Sequence, residues 1–146
     1  MAKAFSIEDG NLQSQISVSV QRSQYSDIDL MFTPKPSGDI YKKLDAAAVK
    51  QSVKNLLLTN FYEKPFEPNY GGNLNAFLFA LDAEFNESEI KRRVFNAIEN
   101  YEPRARALAC DAKINGANNS ISVSVLVRVV STNEQVNVNV SLTRVR

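Results

Sequence analysis

Histidine and tryptophan are both absent from the 146 residues, and there is a single cysteine, Cys110. Without histidine the chain lacks the commonest general base and metal ligand, which excludes Ser-His-Asp and Cys-His nucleophile relays. One cysteine cannot form an internal disulfide or a cysteine-rich zinc site. The sequence therefore offers little catalytic equipment, and we expect no metal and no other cofactor.

Long apolar runs and an excess of one charge are missing as well. No stretch reaches the roughly 18 apolar residues that a membrane-spanning helix needs. Residues 1–10 hold an acidic pair and no apolar run, which is not typical of a signal peptide. The 17 basic and 16 acidic side chains leave a net charge of +1, which disfavours a general nucleic-acid binder. We expect a cytosolic protein that binds neither membrane nor nucleic acid.

Three segments in the middle of the chain have the period of amphipathic helices. Apolar residues recur at three- and four-residue steps over residues 45–59, which predicts a first helix. A shorter helix follows Asn73, and a third begins near Asn86 and ends near Tyr101, because Pro103 disfavours helical geometry at the residue before it. The prolines and glycines between residues 63 and 72 predict a loop between the first two helices.

The last forty residues change to the two-residue period of strands. This pattern predicts an antiparallel three-stranded meander with one apolar face. With two or three helices packed on that face, the fold class is α+β, a single domain over residues 45–146 after an extended N-terminal arm over residues 1–44. The residues predicted to face the helices are Leu108, Cys110, Ala112, Ile114, Ile121, Val123, Val125, Val127, Val129, Val136, Val138, Val140 and Leu142.

The last strand of this meander is a candidate binding edge. It holds Val136, Val138, Val140 and Leu142, with no proline and few charges to block pairing with another strand. The arm repeats the string of residues 121–125 at residues 16–20, so the arm could cover the edge instead. The sequence leaves both interpretations open.

Most other reactive residues have an ordinary structural explanation. Glu84, Glu87, Glu89 and Glu99 are typical of helix first turns or solvated surface, and Cys110 is typical of a buried structural thiol. Gly71-Gly72 lacks the lysine of a phosphate loop and predicts a backbone turn. The basic run on the third helix predicts a solvated face that pairs with Glu87 and Glu89, and three further arginines predict a basic end of the sheet. The run is Lys91, Arg92 and Arg93, and the others are Arg128, Arg144 and Arg146.

The segment Tyr101-Glu102-Pro103-Arg104 is less easily explained. A glutamate at a helix C-terminus opposes the helix dipole. In an extended segment, residues two apart point to the same side, so Glu102 and Arg104 would present a carboxylate and a guanidinium together. Such a pair can bind a partner through charge-assisted bonds, or it can form an ion pair within the chain. The sequence does not decide between these two interpretations.

Several segments together resemble the baseplate wedge and sheath-initiator family of contractile phage tails and type VI secretion baseplates. Glu102-Pro103-Arg104 resembles its Glu-Pro-Arg signature. Matches in the family's order are residues 25–29 (N-terminal motif), residues 52–59 (first core helix), residues 64–71 (the following loop) and Leu78-Phe79 (the next helix). The resemblance covers roughly residues 25–145.

This resemblance implies a structural virion protein rather than an enzyme, located in the tail baseplate after assembly in the host cytoplasm. Its implied partners are other wedge proteins and the tail sheath protein, with the tail tube as a further candidate. Glu102, Pro103 and Arg104 would dock on the wedge core. Val136, Val138, Val140 and Leu142 would form the strand that receives a sheath strand.

Two alternatives remain at this stage. Some members of the family carry a lysozyme label, so a tail-associated peptidoglycan hydrolase that uses Glu102 or a neighbouring acid is one. A small regulatory binding module on the same fold is the other, since fold does not fix function.

Overall fold

The helices and strands follow the periods read from the sequence. The structure, a computed structural model, describes residues 25–79, 87–115 and 118–144. Predictions for residues 1–24, including the arm's repeat at 16–20, and for Glu84 and Arg146 lie outside them. Within the described ranges no helix is long and apolar enough to cross a membrane. The elements are β1 (Ser26–Ile28), β2 (Lys42–Leu44), α1 (Asp45–Leu58), α2 (Asn75–Phe79), α3 (Glu87–Tyr101), β3 (Ala105–Asn115), β4 (Ser120–Val129) and β5 (Gln135–Thr143).

The core lies between the helices and one face of an antiparallel sheet with the order β3-β4-β5. The long helix α3 packs on β3, and α1 packs on β5. Burial of the apolar stripes drives this arrangement, at about 25 cal/mol per Å² of apolar surface removed from water. The α+β class is thus confirmed. The largest fully buried side chains are Leu56, Leu57, Leu74, Ile90, Ile98, Ile121, Val49, Val53, Val94, Val123, Val125 and Val127.

A β-bulge interrupts β3 and changes which of its side chains face the core. The register with β4 shifts between Ala107 and Ala109. Ala105 is buried before the bulge and Ala112 after it, while Leu108 stays 41% exposed. The prediction of Leu108 as a core residue is therefore wrong, because the extra residue reverses the alternation.

The part of the arm that the structure describes is fixed to α1. β1 and β2 pair antiparallel. The Tyr25 backbone N–H donates to Asp45 Oδ1 over 3.1 Å, and the Asp45 N–H donates to the Tyr25 carbonyl over 2.8 Å. Gln51 Nε2 donates to the Ile28 carbonyl over 2.8 Å. This part of the arm is therefore a small sheet anchored on the first helix.

The loop after α1 closes through two glycines. Gly71 has a φ of +117°, and a Cβ at this position would lie 2.3 Å from the Thr59 carbonyl oxygen. The Gly72 N–H donates to the Leu56 carbonyl over 3.0 Å. Gly71-Gly72 is the backbone turn predicted from the sequence, and the close approach to Thr59 requires glycine.

Replacing Gly71 with alanine is expected to destabilise the protein much more than the same change at Gly38. Gly38 also has a positive φ, +82°, but an added Cβ there meets nothing within 4 Å. Backbone strain alone costs about 1–2 kcal/mol, so Gly38→Ala measures the strain and Gly71→Ala adds the clash. Urea unfolding of both variants gives the comparison. Equal losses would show that the loop can move away from Thr59.

Candidate functional site

Glu102 lies in a tight connection between α3 and β3. Its backbone N–H continues the helix by donating to the Ile98 carbonyl over 2.9 Å, and its own carbonyl accepts from Ala105 over 3.1 Å. The Arg104 carbonyl accepts from the Val130 N–H over 2.9 Å, beside the end of β4. These bonds turn the Glu102 side chain inward, where it is only 4% exposed.

The Glu102 carboxylate is bound on both oxygens by groups of the same chain. Arg104 Nε donates to Oε1 over 2.7 Å, and Arg104 Nη2 donates to Oε2 over 2.8 Å. The Ser52 hydroxyl, on α1, also donates to Oε2. The structure therefore contains the ion pair within the chain, in the bidentate form that is strongest for arginine and a carboxylate.

These contacts determine the charge states of the pair. Burial by itself raises the pKa of Glu102, but the hydrogen bonds from Arg104 and Ser52 and the charge of Arg104 outweigh it, and the net pKa lies below its usual value. The hydrogen bond to Glu102 in turn raises the pKa of Arg104. Glu102 is thus ionised at neutral pH.

Arg104 connects this pair to the protein surface and to the N-terminal motif. Its guanidinium carbon lies 5.6 Å from the centre of the Tyr25 ring, a cation–π distance. The Arg104 side chain is 32% exposed. Residues 25–29 and 102–104, far apart in the sequence, therefore meet at one surface, and Arg104 rather than Glu102 is the charge that a partner could contact.

The second candidate surface is the outer edge of β5. Among the described residues no strand pairs with this edge. Val138 and Val140 are buried, and Val136 and Leu142 are half-buried in the core. The side chains of this predicted site thus face the helices, and only its backbone can bind a partner strand.

The ladder between β4 and β5 shows which backbone groups are free. At one end the Arg144 N–H donates to the Asn119 carbonyl over 3.0 Å, and at the other the Val129 N–H donates to the Glu134 carbonyl over 2.9 Å. The register between them has no shift. Since hydrogen-bonded pairs alternate along an antiparallel ladder, the even-numbered residues of β5 bond to β4. Asn137, Asn139 and Ser141 therefore direct their N–H and C=O groups outward.

Several of the remaining acids and bases are paired on the surface. Arg92 binds Glu89 through two bonds of 2.7 and 2.8 Å, as the helical spacing predicts. Lys91 pairs instead with Asp111 on β3, over 3.5 Å. Burial raises the pKa of the Cys110 thiol, which fits a structural cysteine. Arg93 makes no ion pair within the described residues and stacks on aromatic rings.

The Glu102 pair is expected to make folding stability depend on acid pH. The folded-state pKa lies below the unfolded value of about 4.5. The pair therefore stabilises the protein fully above that value and loses its contribution as the pH falls through the folded pKa. At neutral pH, Glu102→Gln should cost about 3 kcal/mol, as for a broken buried ion pair, and the difference from the wild type should shrink in acid.

Denaturant unfolding at a series of pH values measures this difference. Glu67→Gln, which removes the exposed partner of Lys64, is the control and should cause little change at any pH. A loss for Glu102→Gln that is the same at all pH values would contradict the ionised, paired state of Glu102.

Known proteins of similar sequence and structure agree with this architecture. The family model described as baseplate wedge protein gp25 matches residues 44–134. Baseplate wedge protein gp25 of Enterobacteria phage T4 is 31% identical over 85 residues, 58% of this chain and 64% of the phage T4 protein. The match thus spans slightly less than two thirds of that relative.

Two solved structures share the fold. A cryo-EM structure of the anti-feeding prophage baseplate aligns with a TM-score of 0.62 and 20% identity, over 75% of this chain and 89% of the other. A crystal structure of a putative tail lysozyme from Geobacter sulfurreducens aligns with a TM-score of 0.57 and 22% identity, over 67% and 89%. The family model, which covers more than half of the chain, is decisive: the protein belongs to the baseplate wedge protein gp25 family, a family of phage baseplate components.

Proposed function

We propose that this protein docks on the core of a contractile-tail baseplate wedge and starts the tail sheath by strand addition at β5. The observation that carries the proposal is the uncovered outer edge of β5 among the described residues. Membership of the wedge family supports a place among other baseplate proteins. The sheath protein as the partner of β5, and the virion tail baseplate as the location, belong to the proposal.

The sequence and packing of β5 suit a template strand. Its nine residues, Gln135–Thr143, contain no charge and no proline, the two features that most often protect an edge. Helix α1 packs on the inward face. An added strand would bond to the outward N–H and C=O groups of Asn137, Asn139 and Ser141. Such main-chain bonds supply the affinity in strand addition.

The polar side chains beside this edge are directed across the sheet. The Ser124 hydroxyl, on β4, lies 2.7 Å from Asn139 Oδ1 and 3.1 Å from Asn137 Oδ1. The hydroxyl can donate to either oxygen, and these contacts direct the two carboxamides over the solvent face of β4 rather than along the outward backbone of their own strand. The edge therefore stays open to a partner backbone.

The proposed docking surface for the wedge core is formed by Arg104 and Tyr25. Both oxygens of the Glu102 carboxylate are bonded within the chain, so its role is to orient Arg104 rather than to bind the partner. The exposed part of the guanidinium, stacked on Tyr25, can pair with a carboxylate or a carbonyl of a wedge subunit. A held guanidinium loses little entropy on binding.

The geometry favours this structural role over peptidoglycan hydrolysis. A glycosidase needs one carboxylic acid with a raised pKa to protonate the leaving oxygen. The net pKa of Glu102 is lowered, and both of its oxygens are engaged. The neighbour titled a putative tail lysozyme shares the fold at 22% identity, and fold alone does not carry an activity.

Asn139→Pro is expected to block sheath initiation while the protein stays folded. The Asn139 N–H points away from β4, so proline removes an outward donor without breaking the internal ladder. Asn139→Ala keeps this N–H and is the matched control. Particles assembled with each variant are examined by electron microscopy, and thermal unfolding checks the fold. Full-length sheaths on Asn139→Pro baseplates would refute strand addition at this edge.

Arg104→Lys is expected to weaken docking on the wedge core more than it weakens the fold. Lysine keeps the positive charge beside Glu102 but loses the planar fork and its stacking on Tyr25. Co-purification with tagged wedge core proteins measures the docking, and thermal unfolding is measured in parallel. The control is Arg106→Lys, at an exposed position on β3. Undiminished co-purification of Arg104→Lys would rule out the docking role.

A further inference from the structure

A polar cleft between α3 and the loop that follows α1 takes no part in either proposed surface. Its volume is about 340 Å³, and its lining includes Arg93, Asn96, Asn100, Asn69 and Tyr101. The neighbouring Arg92 and Glu89 are engaged with each other at the rim. This volume lies at the lower end of the range for ligand-binding sites, and several polar side chains line the cleft.

Arg93 supplies a guanidinium that no carboxylate of the described residues contacts directly, although Glu89, which is bound to Arg92, attracts it over a longer distance. Its guanidinium carbon lies 5.1 Å from the centre of the Phe61 ring and 5.9 Å from that of Phe77. No carboxylate of the described residues forms an ion pair with it, whereas Arg92 and Lys91 each have one. A guanidinium that is half-buried and fixed by aromatic rings is prepared for a planar anion such as a carboxylate.

Asn96 and Asn100 add a pair of carboxamides with a regular spacing. They are four residues apart on α3, so their Cβ atoms are separated by roughly 6 Å. Every second residue of an extended chain repeats at about 6.6 Å, close to the same distance. Each carboxamide offers both a donor and an acceptor, which match the N–H and C=O of a peptide backbone. Neither side chain has a hydrogen bond to another described residue.

The opposite wall of the cleft is held by contacts within the loop and with α3. The Tyr62 N–H donates to the Pro68 carbonyl over 2.8 Å and closes the loop. Tyr70 packs edge-on against Tyr101 at a centroid distance of 5.1 Å, and the Lys64 ammonium lies 4.1 Å from the centre of the Tyr70 ring. Because the wall is already ordered, a ligand would not have to order it on binding.

We propose that this cleft binds an extended segment of a neighbouring protein chain that carries an acidic side chain. Arg93 pairs with the carboxylate, and Asn96 and Asn100 bond to the backbone on either side of it. Asn69 faces the segment from the opposite wall. The site is separate from the β5 edge and from Arg104, so it adds a third contact to a baseplate subunit.

The test is a titration of the full-length protein, followed by NMR, with the capped tripeptide acetyl-Ala-Glu-Ala-amide. We expect saturable shifts of the Asn96 and Asn100 side-chain amides and of the Arg93 Nε–H. The isosteric acetyl-Ala-Gln-Ala-amide should bind at least tenfold more weakly. Acetate, the third probe, should shift Arg93 but leave Asn100 unchanged, which distinguishes a peptide segment from a free anion.

Two variants and two controls complete the experiment. Arg93→Gln, and separately Asn96→Ala with Asn100→Ala, should each weaken binding of the glutamate peptide at least tenfold. Arg106→Gln and Asn55→Ala, at exposed positions outside the cleft, should bind as the wild type does. Thermal unfolding shows whether each variant is folded, and Arg93→Lys, which keeps the charge and the stem, replaces Arg93→Gln if that variant is not.

The proposal fails if the glutamate peptide produces no saturable shifts in the folded wild-type protein. It fails equally if the glutamine peptide binds as well, or if acetate reproduces every shift. Binding that survives the Arg93 and asparagine variants would also overturn it. These results are independent of sheath assembly, so they leave the proposed function of the β5 edge to its own test.

Discussion

The buried carboxylate of Glu102 is the interaction on which the arrangement of this protein depends. It holds the end of α3 against α1 through the Ser52 hydroxyl, and it orients Arg104 at the start of β3. Arg104 then carries the connection to Tyr25 at the start of β1. An isolated charge in this position would be strongly unfavourable. The fork from Arg104 and the hydroxyl of Ser52 offset that cost, so four parts of the chain are fixed around one negative charge.

The junction at Glu102 also fixes the position of Arg104 relative to the outer edge of β5. Because α1 is fixed at Ser52, its packing on β5 sets the position of the open edge relative to Arg104. Under the proposed function, a partner that docks on Arg104 and Tyr25 would therefore meet the outer edge of β5 in a defined orientation. A helix between the two proposed contact surfaces fixes their relative position better than a loop would, because loops are more mobile.

The sequence predicts the parts of this structure that depend on local periodicity. The three helices and the meander follow from apolar residues at 3.6- and 2-residue steps, and the turn at Gly71-Gly72 follows from composition. The bulge at Leu108 was missed because it is a property of backbone pairing and leaves no mark in the alternation. The direction of the Glu102 side chain stayed open because its partner Ser52 lies on a different helix, far away in the sequence.

The sequence also identified only part of the proposed contact surfaces. It identified β5 as the edge, but it named the valines, whose side chains fill the core. Only the ladder shows that the residues between them hold the free backbone groups. It also treated Arg93 as one of three surface charges. The spacing of Arg93 from Glu89 is visible in the sequence. The rings of Phe61 and Phe77, which lie against its guanidinium, come from distant segments.

The bulge in β3 makes the two edges of the sheet unequal. The backbone of β5 keeps an unbroken register with β4, whereas the bulge near Leu108 interrupts the backbone of β3. A partner strand on the outer edge of β3 would lose its register there. Under the proposed function, a chain of added strands can then begin on one side of the sheet and not on the other. The β-bulge in β3 would thus restrict strand addition to the β5 side of each subunit, so that the assembly grows in one direction.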